Sequence, residues 1–367
     1  MPTITRLVTD KRSLGRTELR RDDAPASLDD GEVLIRLELF ALSTNNITYA
    51  AFGDSMGYWR FFPTGDDAVG HMPVWGYGCV AESRCGGIAP GERFFGYFPI
   101  ASHLRLRPTR VKERGFLDDA PNRRSLPRSY NYYERVSANP SFTAAPEDLV
   151  ALFRPLYPTS FLLADYLADN RFFGAQRLLL SSASSKTAYG AAFYLRQMAP
   201  VPLIGLTSAV NRAFVESLGC WDQVLGYDEI GQLDTGAPVT YVDFSSDPGL
   251  RRRIHRHFGA ALMHDCWAGS TGSHDFLDAN AHADLPGPKP TMHVAFDQIL
   301  QRNRDWGPEE VARRLAQAQA SLLDRVAKAD PPWVRIERAD GFAGAAAVIG
   351  RMAAGRIDPA LGFVVHL

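Results

Sequence analysis

The second half of the chain alternates candidate strands with candidate helices, and this alternation constrains the fold more than any other feature. Apolar runs such as RLLL (177–180), PLIGL (202–206) and PVTYVDF (238–244) alternate with segments whose apolar residues have helical spacing. Repeated strand–helix–strand units place parallel strands in one sheet with helices on both faces. The sequence therefore predicts an α/β domain with a doubly wound parallel sheet.

The first third of the chain reads instead as short strands separated by turns. The stretch EVLIRLELFAL (32–42) alternates apolar and polar residues, and residues 73–83 and 91–106 are further strand candidates on either side of the turn GGIAPGE. This pattern predicts a small β-barrel or β-sandwich. Residues 109–142 are basic, aromatic and rich in proline and asparagine, so we expect a long loop or partly helical excursion there. We expect this segment to be either a lid over an acidic or aromatic substrate or a surface loop packed on its own domain.

Composition narrows the classes of partner. The 367 residues are enough for two domains, and a formal net charge of -1 argues against a nucleic-acid partner. The basic stretch RRRIHRHF (251–258) is expected to be a solvated helix face. Neither a signal peptide nor an apolar run long enough to span a membrane is evident, and the four cysteines form no C-x-x-C pair. We therefore expect a cytoplasmic protein with free thiols.

The strand at 177–180 leads into the small-residue turn SSASSKTAYGAA (181–192), which has the position of a dinucleotide-binding turn. Diphosphate binding needs backbone amides at a helix N-terminus and little side-chain bulk. Ser184, Ser185 and Thr187 would add hydroxyl donors, and Lys186 a positive charge. Because the G-x-G-x-x-G pattern is missing, an ordinary strand-to-helix connection remains the alternative.

The end of the next strand bears on which nucleotide would bind. An acidic residue there suits a free ribose 2′-hydroxyl, whereas basic and hydroxyl side chains suit a 2′-phosphate. The sequence GLTSAVNR (205–212) has no acid and offers Thr207, Ser208, Asn211 and Arg212. This favours NADP(H) over NAD(H). The alternative is a helix N-cap at Thr207 or Ser208 with a solvated Arg212.

Taken in order, these motifs resemble the medium-chain dehydrogenase/reductase superfamily, in particular its zinc-free quinone oxidoreductases and enoyl reductases. The resemblance rests on GEVLIRLELFALSTNNITYAAFG (31–53), the strand–turn–strand stretch over 73–106, SLGCWDQVLGYDE (217–229) and the closing AAAVIGRMAAGRIDPALGFVVHL (345–367). Each motif is loose, but together they cover nearly the whole chain in the order of that family.

The resemblance implies a GroES-like β-barrel domain plus a Rossmann domain with a doubly wound parallel sheet. We expect the GroES-like catalytic domain to comprise residues 1–155 and 300–367, with an insertion at 109–142, and the Rossmann domain to comprise residues 156–299. It also implies an NADP(H)-dependent oxidoreductase that transfers hydride to a small carbonyl, quinone or α,β-unsaturated carbonyl compound, and a homodimer. Neither a nucleic acid nor a membrane is an expected partner. A non-catalytic nucleotide-binding sensor or scaffold and an acid-handling lyase on the same fold remain alternatives.

The resemblance places the loop TNNITYAAFG (44–53) beside the nicotinamide. It makes Asn45, Asn46 and Tyr49 the candidate donors or orienting groups, and Tyr49 the best group for polarising a carbonyl or relaying a proton. Tyr227 would lie near the adenosine end of the cofactor. The alternatives are a tyrosine that only packs and asparagines that only satisfy turn backbone.

The same comparison predicts that no metal takes part. Zinc alcohol dehydrogenases of this superfamily place a catalytic cysteine and a G-H-E motif where this chain has Ser43-Thr44 and Gly76-Tyr77-Gly78. The four closely spaced cysteines of their structural zinc lobe have no counterpart here.

Overall fold

The computed structural model describes residues 3–23, 27–143, 145–198, 200–269, 284–355 and 357–367. The chain forms two compact units. Unit 1 comprises Met1–Leu152 and Val334–Leu367, and unit 2 comprises Phe153–Trp333.

The strands are numbered in chain order. They are β1 (Thr3–Asp10), β2 (Ser13–Asp23), β3 (Val33–Leu42), β4 (Val69–Gly70), β5 (Pro73–Ser83), β6 (Arg93–Pro99), β7 (His103–Leu106), β8 (Pro108–Lys112), β9 (Gly115–Asp118), β10 (Tyr132–Arg135), β11 (Arg177–Leu180), β12 (Leu203–Thr207), β13 (Gln223–Gly226), β14 (Val239–Asp243), β15 (Leu262–Trp267), β16 (Thr291–Met292), β17 (Arg335–Asp340) and β18 (Leu361–His366).

The α-helices are numbered in the same way. They are α1 (Thr44–Ala51), α2 (Glu147–Phe153), α3 (Tyr157–Asp169), α4 (Lys186–Met198), α5 (Arg212–Ser217), α6 (Pro248–Phe258), α7 (Ala295–Asp305), α8 (Pro308–Lys328) and α9 (Gly341–Ala353). Within the described residues no helix is long and apolar enough to cross a membrane.

Unit 1 is built on one large sheet in the order β17-β18-β3-β5-β6-β10-β9-β8, with β7 also paired to β3. The small sheet β2-β1-β4 belongs to the same unit. Alternate residues of β3, including Val33, Ile35 and Leu37, point into the core, as the predicted apolar–polar alternation requires. The strand predictions for 32–42 and 73–83 are confirmed, whereas 91–106 contains two strands, β6 and β7.

The segment 109–142 contains loop and the short helical turns Arg128–Tyr130, Val136–Ala138 and Pro140–Phe142, as the sequence predicted, but also three strands that it did not predict. Its strands β8, β9 and β10 extend the large sheet, and β10 pairs antiparallel with β6 through Glu134 opposite Phe95. A Cβ at Gly96 would lie 2.4 Å from the ring of Tyr133, so only a residue without a side chain fits at this position of β6. The strands escaped prediction because each has only four or five residues and because β10 pairs with a strand outside the segment.

Unit 2 contains the predicted parallel sheet, in the order β13-β12-β11-β14-β15-β16. The ladders between neighbours are all parallel, and β11 and β14 pair at the centre, where the strand order reverses. Ligands of such sheets bind outside the carboxyl ends of the strands at this reversal. Fully buried residues such as Leu179, Leu206 and Tyr241 form the core on the faces of the sheet.

The boundary of the two units differs from the expected one. The resemblance predicts residues 300–333 in the barrel domain, but the structure groups them with the parallel sheet. The reason is packing, because α8 buries Leu322 and Leu323 and contacts α3. Amphipathic periodicity predicted this helix but carried no information about the face it covers.

Helix α6 corrects the expectation for RRRIHRHF, because two of its basic side chains are buried. The Arg251 guanidinium lies 2.7 Å from Asp243 Oδ2 and 3.0 Å from Asp265 Oδ2. His255 Nε2 lies 2.8 Å from Asp265 Oδ2, and its Nδ1 lies 2.7 Å from the carbonyl of Pro286. Both ring nitrogens thus face acceptors. The buried Arg251 guanidinium, which lies between two buried carboxylates, has a structural role here.

Candidate functional site

The turn after β11 lies at the carboxyl edge of the sheet in unit 2. Ser181, its first residue, is fully buried, and its Oγ donates to Asp243 Oδ1 over 2.8 Å. The same oxygen accepts the amide of Phe244 over 2.8 Å. Ser181 therefore ties β11 to β14 at the reversal of the strand order.

The next residues bring the turn into α4. Ser182 has a φ of 48°, a left-handed conformation that glycine adopts more easily, and Ala183 is fully buried. Ser185 precedes the 13-residue α4, and its Oγ accepts the amide of Ala188 over 3.3 Å. Ser184 and Lys186 are half-buried beside it. The amides and the positive end of the helix dipole thus face the edge where an anion would bind.

The glycine that remains in this stretch has a packing role. Gly190 lies inside α4, and a Cβ there would lie 2.8 Å from Ser160 Oγ on α3. Ser160 Oγ also donates to the carbonyl of Thr187 over 2.9 Å. The glycine therefore allows α3 and α4 to approach, while Thr187 takes part in the same contact through its main chain.

The residues predicted for the adenosine end come together around the same turn. Asn211 Nδ2 donates to Ser184 Oγ over 3.2 Å, and the amide of Ser182 donates to the hydroxyl of Tyr227 over 3.2 Å. Thr207 is buried at the end of β12. Ser208, which precedes a short turn of helix, makes no capping bond through its side chain.

Arg212 has a partner that the sequence analysis did not include. Its guanidinium forms an ion pair with Glu229, whose carboxylate also accepts the amide of Gly226 over 2.6 Å. These hydrogen bonds, first that from Gly226 and then that from Arg212, lower the pKa of Glu229. An acid therefore lies at the position where the sequence offered only basic and hydroxyl groups.

The donor set fits a diphosphate. Backbone amides at the start of α4, the hydroxyls of Ser184 and Ser185 and the Lys186 side chain are the groups that such an anion takes. The side chains at the adenosine end fit a 2′-phosphate less well, because Arg212 is already paired with Glu229 and would have to leave it to bind the phosphate.

In unit 1 the stretch TNNITYAAFG forms helix α1 rather than a loop. Asn46 closes a capping box, because its Oδ1 accepts the amide of Ser43 over 2.8 Å while its Nδ2 donates to the carbonyl of Pro73 over 3.0 Å. Its side chain is thereby committed to holding α1 against β5. Asn45, the neighbouring residue, is half-buried.

Tyr49 lies one turn further along α1 and is only 7% exposed. The indole Nε1 of Trp75 donates to its hydroxyl over 3.3 Å. Burial raises the pKa of Tyr49 to about 12, although hydrogen bonds from Trp75, Asn45 and Tyr130 act in the opposite direction. The hydroxyl is therefore protonated at neutral pH and can donate a hydrogen bond or a proton.

Aromatic side chains surround Tyr49, and sequence reasoning missed this cluster. The ring of Tyr58 lies 4.7 Å from that of Tyr49, the ring of Tyr97 5.6 Å and the ring of Tyr130 6.2 Å. The residues come from α1, the turn at 58–61, β6 and the segment 109–142. The density of tyrosines in PRSYNYYERV was the signal available, but nothing in the sequence linked it to Tyr49.

Arg123 anchors the segment that brings Tyr130 to the cluster. Its guanidinium is buried and donates to the carbonyl of Tyr130 over 2.8 Å and to Asn131 Oδ1 over 2.9 Å. It also donates to the hydroxyl of Tyr133 over 3.0 Å and lies 3.2 Å from Asp118 Oδ2.

No group of three or more His, Cys, Asp or Glu side chains within the described residues is arranged to hold a metal ion.

Comparisons with solved structures agree with this two-unit architecture. The quinone oxidoreductase from Coxiella burnetii aligns over 100% of both chains with a TM-score of 0.54 at 13% identity. CurA from Vibrio vulnificus in complex with NADPH aligns over 99% of this chain and 98% of its own, with a TM-score of 0.55 at 15% identity. The yhdH oxidoreductase from Salmonella enterica in complex with NADP aligns over 99% of both chains, with a TM-score of 0.50 at 13% identity.

At such identities the likeness shows the fold, which is the predicted combination of a GroES-like and a Rossmann domain found in medium-chain dehydrogenases/reductases. No curated protein matches the sequence. One family model, described as "Protein of unknown function (DUF2855)", matches residues 40–358. Since this match covers most of the chain, the protein belongs to the DUF2855 family.

Proposed function

We propose that this protein is an NADP(H)-dependent, zinc-free oxidoreductase that reduces a small carbonyl, quinone or α,β-unsaturated carbonyl compound. The observation that carries the proposal is the turn at Ser184–Lys186, which lies at the carboxyl edge of a parallel sheet and opens a 13-residue helix. Solved structures of the same fold include complexes with NADPH and NADP. When bound, the reduced nicotinamide would supply hydride.

The chain's own residues would bind the nucleotide and provide the proton. Ser184, Ser185 and Lys186 would hold the diphosphate, and Arg212 the 2′-phosphate after leaving Glu229. Tyr49 would donate from its hydroxyl to the substrate oxygen, where negative charge develops. Asn46 would support the site only indirectly, because both ends of its amide hold α1 in place.

A thermal-shift panel tests the proposal. A ligand that binds only the native protein stabilises it by about 2.7 kcal/mol at a concentration of one hundred times Kd. We expect NADPH to raise Tm, NADH to raise it much less, and the NADPH-loaded protein to reduce a quinone or enone. Equal shifts with both nucleotides would contradict the preference for NADPH, and no shift with either would remove the cofactor from the proposal.

A nucleotide-binding protein without turnover is the second candidate. The left-handed Ser182 and the buried Ala183, in place of glycines, favour it because they add bulk where the nucleotide backbone must approach. The two candidates separate in one assay: both predict a thermal shift with NADPH, but only the enzyme oxidises NADPH when an acceptor is added.

We also propose that the protein is a homodimer that pairs through the edge of the parallel sheet at β16. Apolar side chains are exposed there, including Met292, Val294 and Phe296, of which Phe296 is 53% exposed. An edge strand with exposed apolar neighbours is a pairing surface.

A further inference from the structure

Three tyrosine side chains lie close together in unit 1. The hydroxyl oxygens of Tyr58 and Tyr130 are 3.4 Å apart, and both rings contact the ring of Tyr49. The rings of Tyr49 and Tyr130 meet edge to face at 86°, with centroids 6.2 Å apart. A separation of 3.4 Å is long for two hydroxyls, but such contacts commonly shorten when substrate binds.

The position of Tyr130 is fixed by buried polar contacts rather than by its ring alone. Arg123 donates to the Tyr130 carbonyl over 2.8 Å and to Asn131 Oδ1 over 2.9 Å, and Asn131 Nδ2 donates back to the Arg123 carbonyl over 2.8 Å. Arg123 and Asn131 are 2% and 3% exposed. This closed set of bonds holds the main chain at Tyr130 in place.

The hydrogen bonds around Tyr49 suit a group that gives up its proton. Once Tyr49 has lost a proton, the indole of Trp75 and the hydroxyl of Tyr130 can both donate to the phenolate oxygen. Burial raises the pKa of both Tyr49 and Tyr130, so both hydroxyls are protonated in the resting protein. Each can therefore donate, Tyr49 to a substrate oxygen and Tyr130 to the Tyr49 oxygen.

Exposure indicates where a replacement proton enters. Tyr49 is buried, whereas Tyr58 and Tyr130 are each half-buried. A proton that comes from water can reach Tyr49 through these two hydroxyls.

We propose that Tyr130 is a positioning residue for Tyr49, which it holds in place and to which it returns a proton after each reduction. The inference rests on the proposed function. Hydride adds to a substrate carbon and the displaced π electrons move to the substrate oxygen, which takes the proton of Tyr49 as the Tyr49 O–H bond breaks. The Tyr130 proton then passes to Tyr49, the Tyr58 proton passes to Tyr130, and a proton from solvent restores Tyr58, so that all three side chains end as they began.

The experiment compares Tyr130→Phe with Tyr132→Phe in the full chain. Both changes remove one hydroxyl from a half-buried tyrosine of the same segment, but Tyr132 lies outside the cluster around Tyr49. In NADPH-loaded protein we expect Tyr130→Phe to slow single-turnover reduction by about 10- to 100-fold, the scale of one hydrogen bond to a charged oxygen. The solvent deuterium isotope effect should rise in Tyr130→Phe and stay unchanged in Tyr132→Phe. Tyr58→Phe should give a smaller change in the same direction.

A second measurement needs neither cofactor nor turnover. In protein labelled at the tyrosine Cζ, the NMR resonance of Tyr49, assigned with Tyr49→Phe, should shift in Tyr130→Phe and not in Tyr132→Phe. Wild-type rate and isotope effect in Tyr130→Phe, with an unshifted Tyr49 resonance, would overturn the proposal. If the wild type reduces no acceptor, the proposed function fails instead, and the NMR comparison still decides whether Tyr130 holds the Tyr49 oxygen.

Discussion

Replacing Arg123 with methionine tests how the segment 109–142 is held. The change keeps a long apolar side chain but removes the guanidinium that neutralises Asp118, a carboxyl only 4% exposed. Asp118 Oδ1 still accepts the amide of Arg107 over 2.8 Å, whereas Oδ2 makes no hydrogen bond within the described residues. Breaking a buried ion pair from one side costs about 3–5 kcal/mol, because the remaining charge is left uncompensated. We expect a loss of that size in the free energy of unfolding, measured by urea denaturation.

The loss of stability in Arg123→Met should depend on pH. Burial raises the pKa of Asp118 above its usual value, and Arg123 opposes this rise. A carboxyl whose pKa is raised by folding favours the protonated form, so its cost appears as pH rises through the interval between the unfolded and the folded pKa. Without Arg123 the folded pKa rises further. Arg123→Met should therefore be least destabilised at acidic pH and most destabilised above the folded pKa.

The double variant Arg123→Met with Asp118→Asn is the matched control. Removing both charges leaves no buried carboxylate, so part of the lost stability should return, and the pH dependence should flatten. A loss below about 1 kcal/mol in the single variant would refute the reasoning. So would a double variant as unstable as the single one with the same pH dependence.

Four further outcomes are expected. Arg212→Ala should weaken NADPH binding by roughly 1–3 kcal/mol, measured by calorimetry. Glu229→Gln should tighten NADPH binding, because Arg212 then no longer has to break an ion pair with a carboxylate. Unchanged affinities in both variants would exclude this pair from the site. Tyr49→Phe should slow hydride transfer by about 10²–10³-fold with little change in Tm; a fall in Tm with turnover intact would make Tyr49 a packing residue. Chelators should change neither activity nor Tm, and stoichiometric zinc in purified protein would contradict this. Phe296→Glu should make the protein monomeric, as measured by light scattering. A variant that stays dimeric would show that the exposed apolar side chains near β16 are not the dimer contact.

Elements that depend on a local pattern of residues can be predicted from the sequence alone. The strand predicted at 73–83 has the bounds of β5, and RLLL followed by small residues and a helix is β11, its turn and α4. Side chains two residues apart share a face of a strand, and those three or four apart share a face of a helix. Apolar residues on a buried face therefore recur in the sequence at that spacing. The parallel order of the second unit follows from the same alternation.

Contacts between residues that are distant in the chain could not be predicted in this way and follow from the fold. Glu229 reaches Arg212 because β12 and β13 are neighbours, and an acid sought only at the end of β12 was therefore missed. Tyr130 reaches Tyr49 because β10 pairs with β6 and Arg123 fixes the chain that precedes it. Such contacts depend on strand pairing and register, which bring together residues far apart in the chain. Neither stretch of sequence carries a local pattern that would predict the contact.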